Sequence, residues 1–221
     1  MKSLVIAIDG PSGAGKGTVA RTLAERLGYR HIDTGAMYRA VAWKAAHEGI
    51  ALDDDAAMAE LAACSHIDQK DGVITIDGHD VTRAIRTPEI DKLAATVAKL
   101  PHVRRPLVED QRALGKGGGV VMEGRDIGTV VFPAADLKIY LDASAEERAR
   151  RRASDLAHTG GQQSIANVQS DLVARDKTDS TRTVAPLALA EDAVRIDTTG
   201  MPIDAVVDHA LTLVHEKLRS S

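Results

Sequence analysis

Lys16 closes the run Gly10-Pro11-Ser12-Gly13-Ala14-Gly15-Lys16, which follows an apolar stretch, Leu4-Val5-Ile6-Ala7-Ile8, and Asp9. These residue types at this spacing suit phosphate chemistry. Glycines let successive backbone N–H groups turn inward onto an anion, and the lysine adds a mobile positive charge. The hydroxyl that usually follows the lysine is displaced by one place, because Gly17 precedes Thr18. A glycine-rich turn can also be a plain βα connection; a strand before it and a helix after it separate the two readings. Both are expected here. Gly10, Pro11, Ser12, Gly13, Ala14, Gly15, Lys16, Gly17 and Thr18 therefore read as a nucleoside triphosphate site.

The other residues with chemical potential are charged. Four arginines fall within Arg148–Arg152, and Arg39, Arg125, Arg175 and Arg182 add to them in a chain whose net charge is −4. A helical arginine run can be a solvated face. Beside a triphosphate it can instead neutralise a second anion, because close phosphates repel strongly in a dry site. An acceptor that is itself a phosphate needs little general base, so positioning and charge neutralisation would supply most of the catalysis. Glu123 ends an apolar run, Val120-Val121-Met122, where an acid can orient hydrated Mg²⁺; it can equally be a solvated strand end. Asp126 falls at the same strand carboxyl end.

The elements that must position these groups alternate. A strand over 4–8 leads into a helix from Gly17 to Leu27 that Gly28 closes, and a strand over 29–32 delivers Asp33-Thr34-Gly35 to a helix ending near Glu48. Asp33-Thr34-Gly35 is not read as an aspartic protease site, which needs two facing carboxylates on a β-rich fold. Asp53 caps a short helix with Met58 and Leu61. Val73-Ile74-Thr75-Ile76, Asp77-Gly78 and His79-Asp80-Val81 predict a hairpin, an interruption of the βα rhythm that reads as an insertion. Thr87-Pro88 starts a helix burying Ile90, Leu93, Val97 and Leu100, and another runs through Val108 and Leu114 to Gly115. Strands over 120–122, 137–141 and 194–197 complete a set of five. Ser144-Ala145-Glu146-Glu147 is a capping box, 158–163 a polar loop, and Ser164 the cap of a helix with Ile165, Val168 and Leu172. Residues 175–182 read as irregular, and the last helix uses Ile203, Val207, Leu211, Val214 and Leu218. The fold class is α/β: a five-stranded parallel sheet with helices on both faces and ligands at the strand carboxyl ends.

Composition narrows the partners. Aromatic residues make up 2% of 221, too few for a base-stacking platform, and an acidic balance disfavours a nucleic-acid surface. The single cysteine, Cys64, excludes an internal disulfide and reads as a packing residue in a reducing compartment. No run reaches membrane-spanning length, so the expectation is a cytoplasmic monomer without membrane or nucleic-acid partners. The eight histidines have no metal-ligand spacing.

Gly10–Thr18, Asp33-Thr34-Gly35-Ala36-Met37-Tyr38-Arg39, Gly124-Arg125-Asp126 and Val184-Ala185-Pro186, in this order, resemble the bacterial cytidylate kinases. The resemblance spans the chain. It implies a P-loop kinase fold with a hairpin-bearing monophosphate-binding insertion and a helical lid, within a single domain. Its core would be 1–38, 107–151 and 186–221, its monophosphate region 39–106 and its lid 152–185. It implies transfer from ATP to CMP or dCMP with Mg²⁺. By matching motif, Lys16 and the loop would hold ATP, while Arg39, Arg125 and Arg175 hold the acceptor phosphate. Thr34 and Tyr38 would line the acceptor site, Arg104 and Asp126 read cytosine, and Asp179 and Arg182 meet the sugar and phosphate end. Arg148, Arg151 and Arg152 would act from the lid arm, and Glu123 would serve the metal. The family's small hydroxyl near the base aligns with Ala95, leaving neighbouring Thr96 to substitute, and Glu123 stands where related kinases have aspartate. Two rivals are a UMP- or AMP-preferring kinase and a GTP-dependent switch. The second rests on Asp176-Lys177-Thr178-Asp179 and Asp197-Thr198-Thr199-Gly200, which sit in the wrong chain order for that class.

Overall fold

The computed structural model describes residues 3–155 and 164–220, so the expected loop at 158–163 lies outside the described residues. In chain order the first elements are β1 (Val5–Asp9), α1 (Lys16–Leu27), β2 (Arg30–Asp33), α2 (Thr34–Glu48) and α3 (Asp55–Cys64). Next come β3 (Ile67–Lys70), β4 (Val73–Ile76), β5 (His79–Asp80), α4 (Pro88–Val97), α5 (Pro101–Gly115) and β6 (Val120–Glu123). A π-helical turn (Ile127–Val131) precedes β7 (Leu137–Asp142), α6 (Ala145–Ser154), α7 (Ile165–Thr181), β8 (Val194–Asp197) and α8 (Ile203–Arg219). These residues form two compact units. One holds residues 3–32, 112–154 and 164–220; the other is built on Asp33–Gln111.

The first unit is organised by a five-stranded parallel sheet in the order β2-β6-β1-β7-β8. Its central strand is apolar on both faces, as a doubly covered parallel strand must be. Ile6 and Ile8 face a core with Val19 and Leu23 of α1 and Val207 and Val214 of α8, while Ala7 and Met122 are fully buried on the other side. Ile8 pairs with Glu123 and Asp9 with Tyr140, so the loops after β1, β6 and β7 leave the sheet at one edge. That register gathers the candidate site.

The second unit has a separate core of Met37, Val41, Met58, Ile74, Ile76, Ile85, Ile90 and Val97. The expected hairpin is present, and Asp77 and Gly78 both take positive φ, 50° and 79°, as its two-residue turn requires. A third strand, β3, pairs with β4. Its sequence Ile-Asp-Gln-Lys shows little β signal, and the pairing comes from its neighbour rather than from its composition.

Several expectations are corrected. Asp54, not Asp53, caps α3, its carboxylate accepting from Ala57 N–H at 3.0 Å. Cys64, at the end of α3, is exposed rather than packed. Ile165 and Ile203 are exposed at helix starts, where the first turn overhangs the core, although Val168, Leu172, Val207 and Val214 are buried. The capping box is half made: Ser144 Oγ accepts from Glu147 N–H, but Ser144 N–H goes to Thr199 and the Glu147 carboxylate goes to Arg150 and Arg151. Residues 175–181 are helical rather than irregular, for a reason found in the site.

Candidate active site

Gly10 turns the chain out of β1 with φ 145°, and any Cβ there would collide with the Leu141 carbonyl oxygen. Gly15, at φ 88°, ends the loop as the N-cap of α1. Lys16 lies inside, 6% exposed, its Nζ donating to the Pro11 carbonyl at 2.8 Å. Burial pushes its ammonium down to about 7, aided by the cations Arg125 and Arg175 and opposed by Glu123 and Asp9.

Glu123 is buried at the end of β6 and hydrogen-bonded at 3.1 Å to Nε2 of His31 on β2. A Cβ at residue 17 would lie 3.1 Å from Glu123 Oε1, which explains the displaced hydroxyl: Gly17 leaves the space in which this carboxylate approaches the loop. Among the described residues no group of three His, Cys, Asp or Glu forms a closed metal cage. One buried carboxylate beside a phosphate loop does fit Mg²⁺, which takes one or two carboxylates and completes its shell with phosphate oxygens and water.

After Glu123 the chain presents Arg125 and Asp126 and enters the π-helical turn. Asp9 holds that turn: its buried carboxylate accepts from Ile127 N–H at 2.9 Å and from Gly128 N–H at 2.7 Å. Burial pushes the Asp9 carboxyl up to about 6, against the lowering effect of those two hydrogen bonds. Helix α7 faces the same turn. Arg125 Nε donates to Asp179 Oδ2 at 3.0 Å, and Arg182 NH2 lies 3.6 Å from Asp126 Oδ1. Past α7, Arg182 Nε donates to the Ala185 carbonyl and Leu187 N–H to that of Asp179, folding Val184-Ala185-Pro186 back onto the helix end. These pairs keep the last turns of α7 regular through Thr181, past the point where its buried Val168 and Leu172 end. They also leave Asp176 to Asp179 helical and ion-paired, unlike a guanine-reading loop.

The arginine run divides by burial. Arg150 is exposed and, among the described residues, pairs with Glu147, a solvated face as one reading expects. Arg148 is 7% exposed and donates to the carbonyls of Ala143 and Ser12 and to Asp176 Oδ2. Arg151 donates to Glu147 and to the hydroxyl and carbonyl of Thr198, its guanidinium lying alongside Gly15. Arg152 is part-buried on α6. Arg148 is thus built into the wall behind the loop, where its acceptors are.

The second unit carries its own cluster. Asp33 caps α2, Oδ1 accepting from Ala36 N–H at 2.9 Å while Oδ2 accepts from Arg39 at 2.8 Å. Gln69 of β3 grips Asp33 by its backbone, Oε1 accepting from its N–H and Nε2 donating to its carbonyl. Thr34 and Tyr38 are buried on α2, and the buried Arg104 guanidinium lies 5.4 Å over the Tyr38 ring and donates to Ala98 O. Thr96 is exposed on α4 and Ala95 part-buried.

The first unit therefore brings together Lys16, Glu123, Arg125, Asp126, Arg175, Asp179 and Arg182, and the second brings together Arg39 with Asp33 and Arg104 with Tyr38. Reading from sequence assigns no site role to Asp9, His31 or Gln69, and meets Asp176 only in the guanine-reading run of the rival reading. Only Asp9 carries a signal, as an acid at the end of an apolar strand.

A family model described as cytidylate kinase matches residues 6–216. The chain is 49% identical over 222 residues to a cytidylate kinase of Desulfitobacterium hafniense, covering 99% of this chain and 96% of that one. It is 51% identical over 207 residues to a cytidylate kinase of Pelotomaculum thermopropionicum, covering 91% and 92%. In fold it is similar to a shikimate kinase from Acinetobacter baumannii, with a TM-score of 0.50 at 17% identity over 97% of this chain and 94% of that one. On the extent of that match and the loop, turn and helix that carry its motifs, the chain belongs to the cytidylate kinase family.

Proposed function

We propose that the chain transfers the γ-phosphoryl group of ATP to CMP or dCMP, giving ADP and CDP or dCDP. The observation that carries this reading is the pairing of a phosphate loop with a second, cationic cluster, Arg125 and Arg175, within the field of Lys16. The loop from Gly10 to Thr18 would hold the donor phosphates. Arg39, Arg125 and Arg175 would hold the acceptor phosphate, with Thr34 and Tyr38 beside it. Arg104, Asp126 and Thr96 would meet the base, and Asp179 and Arg182 the sugar end. Arg151 and Arg152 would neutralise charge that builds during transfer, while Arg148 would set the loop. The acceptor phosphate oxygen is already ionised, so no side chain need take its proton; alignment and charge neutralisation lower the barrier. Glu123 would hold Mg²⁺, which would supply positive charge against the donor phosphates.

We assign the parts as a core of 1–38, 107–151 and 186–221, a monophosphate region of 39–106 and a lid of 152–185. Among the described residues no helix is long and apolar enough to cross a membrane, and we place the protein in the cytoplasm as a monomer. A coupled ADP-release assay with ATP and CMP, dCMP, UMP and AMP tests the reading. CMP and dCMP are expected to turn over fastest; preference for UMP or AMP would overturn it.

A further inference from the structure

Asp176 belongs to none of the roles above, yet it joins the donor loop to the helix that carries Arg175 and Asp179 and ends just before Arg182. Its Oδ2 accepts from Arg148 NH1 at 2.5 Å, and its Oδ1 accepts from Ser12 N–H at 3.4 Å. The same Arg148 NH1 donates at 3.0 Å to the Ser12 carbonyl, so arginine and aspartate hold both backbone groups of one loop residue. Arg148 is itself fixed by Nε to the Ala143 carbonyl at 3.0 Å. The loop lies directly on this pair: a Cβ at Gly13 would be 3.0 Å from Arg148 Cβ. A carboxylate at the loop's shoulder adds negative charge near a site for phosphates, a cost unless it has work to do there. Arg148 neutralises it, and the pair becomes a rigid strut.

We propose that Asp176 is a positioning residue that couples the two nucleotide subsites, so that filling one raises affinity for the other. The proposal rests on the two-nucleotide reading above. The Ser12 bond is at the long limit of a hydrogen bond while the Arg148 bond is short, so the strut is tight at the arginine and slack at the loop. Acceptor binding exchanges the pairs Arg125–Asp179 and Arg182–Asp126 for contacts with nucleotide, and so acts on α7 at Asp179, one turn from Asp176, and at Arg182, just past its end. Donor binding orders the loop at Ser12. Each event sets one end of the strut and tightens the Asp176–Ser12 bond for the other. Such coupling is reciprocal by thermodynamic necessity, and typical values are about 5- to 150-fold.

Calorimetric titration of a non-hydrolysable ATP analogue, with and without saturating CMP, reads the coupling factor. In the wild-type protein CMP is expected to tighten the analogue at least about 5-fold. In Asp176→Asn, which keeps the shape and loses the charge, the factor should fall below about 2 while each nucleotide alone binds within about 3-fold of wild type. Arg148→Lys should fall between the two. A factor that survives in Asp176→Asn, a loss of both separate affinities with the factor intact, or no coupling in the wild type each overturns the proposal. If CMP does not bind at all, the acceptor reading has failed instead, and the same titration with the monophosphate that the activity panel selects decides the strut.

Discussion

Gln69 replaces a missing strand neighbour for Asp33: its side-chain oxygen accepts from the Asp33 N–H at 3.0 Å and its side-chain nitrogen donates to the Asp33 carbonyl at 2.9 Å. Asp33 in turn aims Arg39 and caps α2. A chain of fixed groups thus runs from Gln69 on β3 through Asp33 to Arg39, which we propose holds the acceptor phosphate.

Gln69→Leu should therefore act on the acceptor alone. It removes two hydrogen bonds worth about 1 kcal/mol each and frees Asp33 to turn. The KM for CMP is expected to rise roughly 10-fold, with the KM for ATP within a factor of about 2. Steady-state kinetics with each substrate varied in turn measures this. Equal increases in both constants would show that Gln69 supports the fold and not Arg39.

Lys16 is expected to make ATP binding depend on pH. With its ammonium held down to about 7, a growing share of the lysine is neutral as pH rises above that value. Bound phosphates favour the charged form, so above pH 7 binding must take up a proton, and affinity should fall by up to about tenfold per pH unit. Calorimetry at pH 8.5 in buffers of different ionisation heat should show that uptake. Lys16→Ala should show none and should lose about 100-fold or more in kcat. Proton-neutral binding by the wild-type protein would remove the argument.

What is legible in the sequence depends on which force builds each part. The sheet is legible because β1, β6 and β7 are mainly apolar runs, and alternating β8 begins and ends where its residues predict. Asp33, Asp77-Gly78 and Thr87-Pro88 are legible because each is a local solution to a backbone problem. Helix α7 past Arg175 is not, since its order comes from the partners of Asp179 and Asp176, Arg125 and Arg148, 54 and 28 positions away in the chain. Arg148 reads as one of four similar arginines, and only the Ser12 carbonyl and Asp176 distinguish it. Gln69 and His31 likewise matter through their partners and not through a pattern.

Asp9 should make stability rise as the solution becomes mildly acidic. Its carboxyl titrates at about 6 in the folded protein, against an ordinary value of 3.8. Folding therefore favours the protonated form. The cost of the buried charge is full above pH 6, near zero below about 4, and amounts to about 3 kcal/mol between those limits. Asp9→Asn has no such titration, although it keeps an oxygen to accept one of the two backbone bonds. Urea unfolding at pH 7, 5.5 and 4.5 should show the wild type gaining on the variant at each step, at roughly 1–3 kcal/mol over the range. A constant difference across the three would mean that the two hydrogen bonds hold the carboxylate ionised.

Asp126 should set the base preference. Cytosine carries an exocyclic amino donor where uracil carries a carbonyl, and an ionised carboxylate can only accept. CMP would satisfy it, while UMP would set oxygen lone pairs against a buried charge. The carboxylate is 5% exposed, so water cannot rescue the mismatch, and a site built on such a bond discriminates by several kcal/mol. The competing role is structural: Arg182 lies 3.6 Å away, and Asp126 could serve only to hold it. Asp126→Asn separates the two, because the amide keeps the shape, loses the ion pair and offers a donor that can turn toward uracil. Its CMP-to-UMP ratio of kcat/KM is expected to fall roughly 10-fold or more, mainly through weaker use of CMP. Arg182→Met should lower activity toward both nucleotides and leave their ratio within about 2-fold, since it removes the partner and not the reader. If the two variants behave alike, the pair acts as one structural unit, and Arg104, stacked on Tyr38, is the group left to read the base.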